Sequence, residues 1–182
     1  KIGYVPQRSV LFSGSVASNI RYGAPDTPDD EVERSAAVAQ AAPFVEQLED
    51  RYDHAIAQGG ANLSGGQKQR LSIARAIARG ADIYLFDDSF SALDYHTESR
   101  LRAALRDVIR QSTIIVVAQR VSSIMHADNI LVLENGRLVG QGTHQQLLRE
   151  SVVYQEIASS QLSPEELARD LVSGAPGPGT LA

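Results

Sequence analysis

Two short stretches carry the residue types that chemistry requires. The first is Asn62-Leu63-Ser64-Gly65-Gly66-Gln67-Lys68-Gln69-Arg70, where a serine stands directly before two glycines and a helical pattern begins behind them. Leu71, Ala74 and Ala78 repeat on one face, with Lys68, Arg75 and Arg79 around it. Ser64 followed three residues later by Gln67 fits a capping box and predicts the helix start at this point. A helix start leaves backbone N–H groups unpaired and carries the positive end of the helix dipole. Gly65 and Gly66 have no side chain to hold a ligand away from those groups, and Ser64 adds a hydroxyl. Between His54 and Ala81 there is no Asp or Glu, so no carboxylate competes. The chemistry this arrangement suits is phosphate binding. An ordinary capped surface helix is the plainer reading of the serine and two glycines taken alone.

The second stretch is Ile83-Tyr84-Leu85-Phe86 followed by Asp87-Asp88. It reads as a short buried strand closing on two carboxylates, an arrangement that holds Mg²⁺ on a nucleotide. Together with Ser91-Ala92-Leu93-Asp94, these stretches resemble a known family. Leu63-Ser64-Gly65-Gly66-Gln67 resembles the signature motif of the ATPase domain of ABC transporters, the strand ending in Asp87 resembles its Walker B strand, and Ser91 to Asp94 resembles its D-loop. The resemblance runs from residue 1 to about residue 160 but covers only the later part of the family domain. A Gly-x-x-x-x-Gly-Lys-[Ser/Thr] phosphate loop is absent from the chain. The chain opens at Lys1 inside a strand pattern and its only methionine is Met125, so it reads as a fragment of a longer protein. By itself it is expected to bind nucleotide poorly and to show no ATPase activity.

The resemblance implies an α/β fold, a P-loop NTPase (RecA-like) core with a mostly parallel sheet and an added helical subdomain. Residues 13–78 are expected to form that subdomain, 79–160 the rest of the core, and 161–182 a partly disordered tail. It implies ATP and Mg²⁺ as ligands. Gln7 matches the Q-loop glutamine that reaches Mg²⁺ and the attacking water, and Asp87 matches the Walker B metal ligand. Asn62, Ser64, Gly65, Gly66 and Gln67 match the groups that close on the ATP of a second ABC ATPase domain. Asp94 matches the D-loop residue that couples the two sites; its plainer reading is the N-cap of the next helix. The exporter-like run from Leu11 to Ile20 and the loop Gln58-Gly59-Gly60 imply contact with the coupling helices of a transmembrane domain. That places the protein at the cytoplasmic face of the cell membrane.

Two positions depart from the family pattern. Asp88 stands where the catalytic Glu is usual, and Gln119 stands where a His contacts the γ-phosphate. Asp and Glu have similar intrinsic pKa values, so basicity is kept, but Asp is one methylene shorter. A displacement on the order of 1 Å can cost about 100-fold in rate. Gln119 donates a neutral hydrogen bond and cannot become cationic. Both changes beside an intact signature imply, by the resemblance, the degenerate-site half of a heterodimeric exporter; a homodimer that tolerates Asp88 and Gln119 and hydrolyses slowly is the plainer reading. An ATP-occluding regulatory module is a second reading, and a soluble ABC ATPase acting on DNA or ribosomes a third.

Bulk properties set outer bounds. The 182 residues suffice for one domain with a core, and 43% hydrophobic with 21% charged residues is ordinary for a globular chain. A net charge of −5 argues against nucleic acid as the main partner. There is no cysteine, hence no disulfide frame or thiolate metal site. The longest apolar run, Ile114 to Ala118, is strand-sized.

The pattern further predicts a strand through Val5, helix over 26–52, helix over 95–110 and a central parallel strand from Thr113 to Ala118. Strands at Asn129–Leu133 and Arg137–Val139 are joined by Asn135-Gly136, a hairpin signal. A helix starts at Gly142-Thr143-His144, with His144 read as a helix-start residue. Residues 151–172 are helical with a break near Ser163-Pro164, and Ser173 to Ala182 are disordered.

Overall fold

The computed structural model describes residues 1–108 and 111–172. The expected helical end at Ile109 and Arg110, and the disorder expected of Ser173 to Ala182, lie outside the described residues. The chain divides into two compact units, Lys1–Val117 and Ala118–Ala182.

The first unit is built on a parallel sheet of β1 (Ile2–Val5), β4 (Ile83–Asp87) and β5 (Thr113–Val117), in the order β1-β4-β5. The β-branched run at Thr113 predicts a central strand, yet among the described strands it lies at the edge, and β4 is central. Strand order is set by tertiary pairing, and local β-propensity carries no information about it. The register places Tyr4 beside Leu85 and Leu85 beside Ile115. Side chains alternate across the sheet. Val5, Tyr84 and Phe86 are buried on one face, while Ile2, Tyr4, Ile83, Ile115 and Val117 are exposed on the other.

The short strands β2 (Gly14–Ser15) and β3 (Ala55–Ile56) pair antiparallel and bracket the helices α1 (Val16–Ile20), α2 (Asp29–Val38) and α3 (Ala42–Val45). Helix α2 has Asp29, Asp30 and Glu31 in its first turn, where the dipole favours carboxylates. The helix expected over 26–52 is broken. Gln40 adopts φ +57 between α2 and α3, and only a 3₁₀ turn, Arg51–Asp53, follows. A left-handed residue ends an α-helix, and glutamine at that place gives no glycine signal to read.

Helix α4 (Gly65–Ala78) is the spine of the unit. It packs against α1, α2 and β1, and Leu71, Ile73, Ala74, Ala76 and Ile77 are buried along it. Helix α5 (Tyr95–Val108) buries Leu101 and Leu105.

The second unit begins after β5. Strands β6 (Ile130–Glu134) and β7 (Arg137–Gly142) form the expected hairpin, with Asn135 at φ +49 and Gly136 at φ +75. These are the left-handed angles of a type I′ turn. Helices α6 (His144–Glu150), α7 (Val152–Ser159) and α8 (Pro164–Val172) follow, with the break where Ser163-Pro164 predicts it. Thr143 and Gln146 form a capping box at the start of α6. His144 is buried in its first turn, 2.7 Å from the Tyr154 hydroxyl through Nδ1 and 3.2 Å from Asp170 Oδ2 through Nε2. One histidine thus ties three helices together, and it is committed to that packing. Burial, with the Asp170 charge adding to it, pushes the Tyr154 phenol up to about 12. Among the described residues no helix is long and apolar enough to cross a membrane.

Candidate functional site

Helix α4 begins as its sequence requires. Ser64 caps it in extended conformation: its Oγ accepts from the Gln67 N–H at 3.3 Å, while Gln67 Oε1 accepts from the Ser64 N–H at 2.8 Å. No acidic residue sits in the first turn. A Cβ placed on Gly65 would meet nothing within 4 Å, so the front of the helix start is open space. A Cβ on Gly66 would come 3.3 Å from the Ala92 carbonyl oxygen, so the loop before α5 closes against the back of the same turn. Exposed N–H groups, a serine hydroxyl and no carboxylate make a surface that fits a phosphate.

Asn62 has a different job in this arrangement. Its Oδ1 accepts from the Ala57 N–H at 3.0 Å and its Nδ2 donates to the Ala55 carbonyl at 2.9 Å. The amide braces the loop that leads into Ser64. Asp94 caps α5: Oδ1 accepts from the Thr97 N–H at 3.0 Å and Oδ2 from the Thr97 hydroxyl at 2.6 Å. These hydrogen bonds, the hydroxyl first, hold the Asp94 carboxyl below its ordinary range. Arg70 ties α4 to the junction between α2 and α3. It lies 4.8 Å over the Phe44 ring and donates to the Gln40 carbonyl at 2.9 Å. Burial pushes its pKa down, and the Asp94 charge opposes that shift.

The second cluster lies at the carboxyl ends of the parallel strands, where open α/β sheets bind ligands. Asp87 ends β4, and its Oδ2 accepts from the Tyr4 hydroxyl at 3.1 Å. That hydrogen bond is the largest cause of the raised pKa of Tyr4. Asp88 follows at φ +45, a left-handed conformation that aspartate tolerates better than most residues. Its N–H donates to the Val117 carbonyl at 2.8 Å and its carbonyl accepts from the Ser91 hydroxyl at 2.8 Å, which pins the turn. Buried Ser89 donates to the Val5 carbonyl at 2.8 Å and locks the turn to the end of β1. Gln7, two residues past β1, donates from Nε2 to Asp88 Oδ2 at 3.1 Å.

Gln7, Asp87 and Asp88 are therefore brought together. Gln7 donates through nitrogen, and among the described residues no hydrogen bond falls on its Oε1. An oxygen-only set of one or two carboxylates and an amide suits Mg²⁺, whose remaining positions are filled by water and phosphate oxygens. Gln119 follows β5 by two residues and belongs to the second unit; its side chain is exposed and its carbonyl accepts from Gln161 Nε2 at 2.9 Å.

Three residues that hold the first unit's loops escaped the sequence reading. Gln69, 2% exposed inside α4, accepts from the Ser9 hydroxyl and donates to the Pro6 carbonyl at 3.4 Å. It thereby couples α4 to the Gln7 loop. Asn19, also 2% exposed, accepts from the Phe12 N–H at 2.9 Å and donates to the Phe12 carbonyl at 2.8 Å. Arg75 donates to the Val10 and Asn19 carbonyls at 3.0 and 2.8 Å, and its guanidinium lies 5.4 Å from the ring centres of Phe12 and Tyr22. Those two exposed rings stack at 4.2 Å. A buried glutamine in an amphipathic helix was the one available signal.

Known proteins share these features. The family model described as "ABC transporter" matches residues 1–91. An uncharacterized ABC transporter ATP-binding protein of Mycobacterium bovis is 52% identical over 163 residues, spanning 88% of this chain and 28% of its own length. The ABC-type oligopeptide transporter ABCB9 of Homo sapiens is 39% identical, across 95% of this chain and 23% of its own. The chain thus spans about a quarter of the length of these relatives. Among solved structures, a bacterial Atm1-family ABC exporter with ATP bound superposes with a TM-score of 0.86 at 41% identity, covering 89% of this chain and 28% of the other. With the family model covering half the chain, and with a capped glycine helix start and a strand ending in two carboxylates present, the chain belongs to the ABC transporter family.

Proposed function

We propose that this chain is part of the ATP-binding domain of an ABC exporter that couples ATP binding and hydrolysis to outward movement of a solute. It works at the cytoplasmic face of a membrane, with a transmembrane domain and a second ABC ATPase domain as partners. Residues 13–78 serve as the helical subdomain, 79–160 as the rest of the core and 161–182 as a tail. The α4 start closes on the γ-phosphate of the partner's ATP: Ser64, Gly65 and Gly66 supply donors, Gln67 holds Ser64 in place, Asn62 steadies the approach loop and Asp94 the loop behind. On the chain's own side, Asp87 and Gln7 hold Mg²⁺, which screens the phosphate charge. Asp88 orients water weakly or not at all, and Gln119 offers the γ-phosphate a neutral hydrogen bond.

The domain is the weaker half of a heterodimer. The observation that carries this reading is the Gln7–Asp88 hydrogen bond at 3.1 Å, made from a pinned left-handed turn. It ties down a carboxylate that is already one methylene short. A side chain held back in this way has little freedom to reach an attacking water, and general-base catalysis requires hydrogen-bond reach to the proton taken.

The test is steady-state ATP hydrolysis by the assembled transporter carrying Asp88→Asn. The expected result is a rate within about twofold of wild type, because the working base lies in the partner. A fall of the 10²–10⁴-fold size typical of losing a general base would overturn the division of labour.

A further inference from the structure

We infer that Tyr4 is a positioning residue for Asp87: its hydroxyl holds one carboxylate oxygen and so makes Asp87 a single-oxygen ligand for a small divalent cation. The inference rests on the reading of Asp87 as the metal ligand. Tyr4 and Asp87 lie on the same face of adjacent parallel strands, Tyr4 beside Leu85 and Asp87 one pleat further along β4. The hydroxyl donates to Asp87 Oδ2 at 3.1 Å. Among the described residues no hydrogen bond falls on Oδ1.

Tyr4 is 51% exposed, on the sheet face opposite the buried Val5, Tyr84 and Phe86. Phenylalanine fits the same place, so the hydroxyl is the part of the side chain with a specific partner. Hydrogen bonds of this kind orient metal ligands, and their loss commonly weakens metal affinity by about 10- to 100-fold. The choice of oxygen also bears on which ion is taken. Ca²⁺ accepts bidentate carboxylates in flexible geometry, whereas Mg²⁺ demands a compact octahedron and takes single carboxylate oxygens. A phenol seated on Oδ2 competes with bidentate binding and favours the smaller ion.

The experiment uses the assembled transporter carrying Tyr4→Phe, with Asp87→Asn as the reference variant. Mn²⁺ binding is followed by electron paramagnetic resonance in the presence of a non-hydrolysable ATP analogue, and the Mg²⁺ and Ca²⁺ concentrations that give half-maximal binding of the analogue are compared. Tyr4→Phe is expected to weaken Mn²⁺ binding about 10-fold. It should narrow the Mg²⁺ over Ca²⁺ preference and leave the metal-free affinity for the analogue unchanged. A purely structural role for the ring would leave all three readings as in wild type, since Phe keeps the ring. If Asp87→Asn weakens Mn²⁺ binding but Tyr4→Phe changes it by less than about twofold, the inference fails and the metal reading stands. If neither variant changes Mn²⁺ binding, Asp87 is not a ligand and both fail together.

Discussion

A glutamate at Gly65 is expected to lower ATP hydrolysis by the assembled transporter about 100-fold or more and to leave the fold intact. The two halves of that expectation come from different observations. A side chain at Gly65 meets no atom within 4 Å, so nothing must move to accommodate it. Glycine is also the poorer helix former, and a carboxylate in the first turn favours the dipole, so stability should hold or rise by about 1 kcal/mol. The same carboxylate stands in front of the N–H groups that would face a phosphate, and like charge at that point opposes binding and transition state alike. Loss of a single preorganised donor at a reacting centre costs about 10²–10³-fold, which sets the scale. Gly65→Gln separates charge from bulk and should lose much less. The measurements are ATPase rate and thermal midpoint on the same preparations. An unfolded Gly65→Glu protein would contradict the open space at Gly65, and a folded one with normal ATPase would show that the open face of α4 is not where the phosphate binds.

The second large effect is structural. Asn19→Ala is expected to destabilise the first unit by about 2–4 kcal/mol. Asn19 satisfies both the N–H and the carbonyl of Phe12, and its Oδ1 also accepts from Arg75 Nη2 at 3.0 Å. Truncation leaves a part-buried backbone pair and a guanidinium short of partners, and each orphaned group carries a desolvation penalty of about 1–3 kcal/mol. Urea unfolding of the purified chain should show a lower midpoint with an unchanged slope. A midpoint equal to wild type would mean that Arg75 and the Phe12–Tyr22 stack hold the 10–20 segment without the amide.

These cases show which parts of the molecule the sequence makes legible. Signals that are local in the chain translate directly: the Ser64–Gln67 box, the strand closing on Asp87, the Asn135-Gly136 turn and the break near Ser163-Pro164 all appear where their spacing puts them, although β4 buries only alternate side chains and is not buried throughout. Each depends on contacts within a few residues, where residue type alone fixes the geometry. The pairing of Gln7 with Asp88 joins residues 81 apart, and Asn19 with Arg75 joins residues 56 apart. No local period encodes such a contact. Arg75 illustrates the loss: its position on α4 reads as a solvent-facing charge, yet it organises the loop below. Tyr4 reads as an ordinary strand residue until the parallel register brings Asp87 alongside. The Gln40 break was hidden because glutamine carries none of the usual left-handed preference. Asp94 shows the opposite outcome, since the helix-cap reading available from its position is what its hydrogen bonds describe.

The central claim is that this chain lends its signature helix to a partner's ATP while turning over little at its own carboxylates. It is tested most directly by identifying the nucleotide held at each site during turnover. The assembled transporter is supplied with Mg²⁺ and a photoreactive ATP radiolabelled in the adenosine, quenched by illumination, and cut so that the two ATPase domains separate. The account predicts mostly unhydrolysed triphosphate crosslinked to the domain carrying Asp87 and Asp88, with diphosphate concentrated on the partner domain. Equal proportions of diphosphate on both would contradict it, and would make Asp88 a working catalytic carboxylate in a symmetrical ATPase.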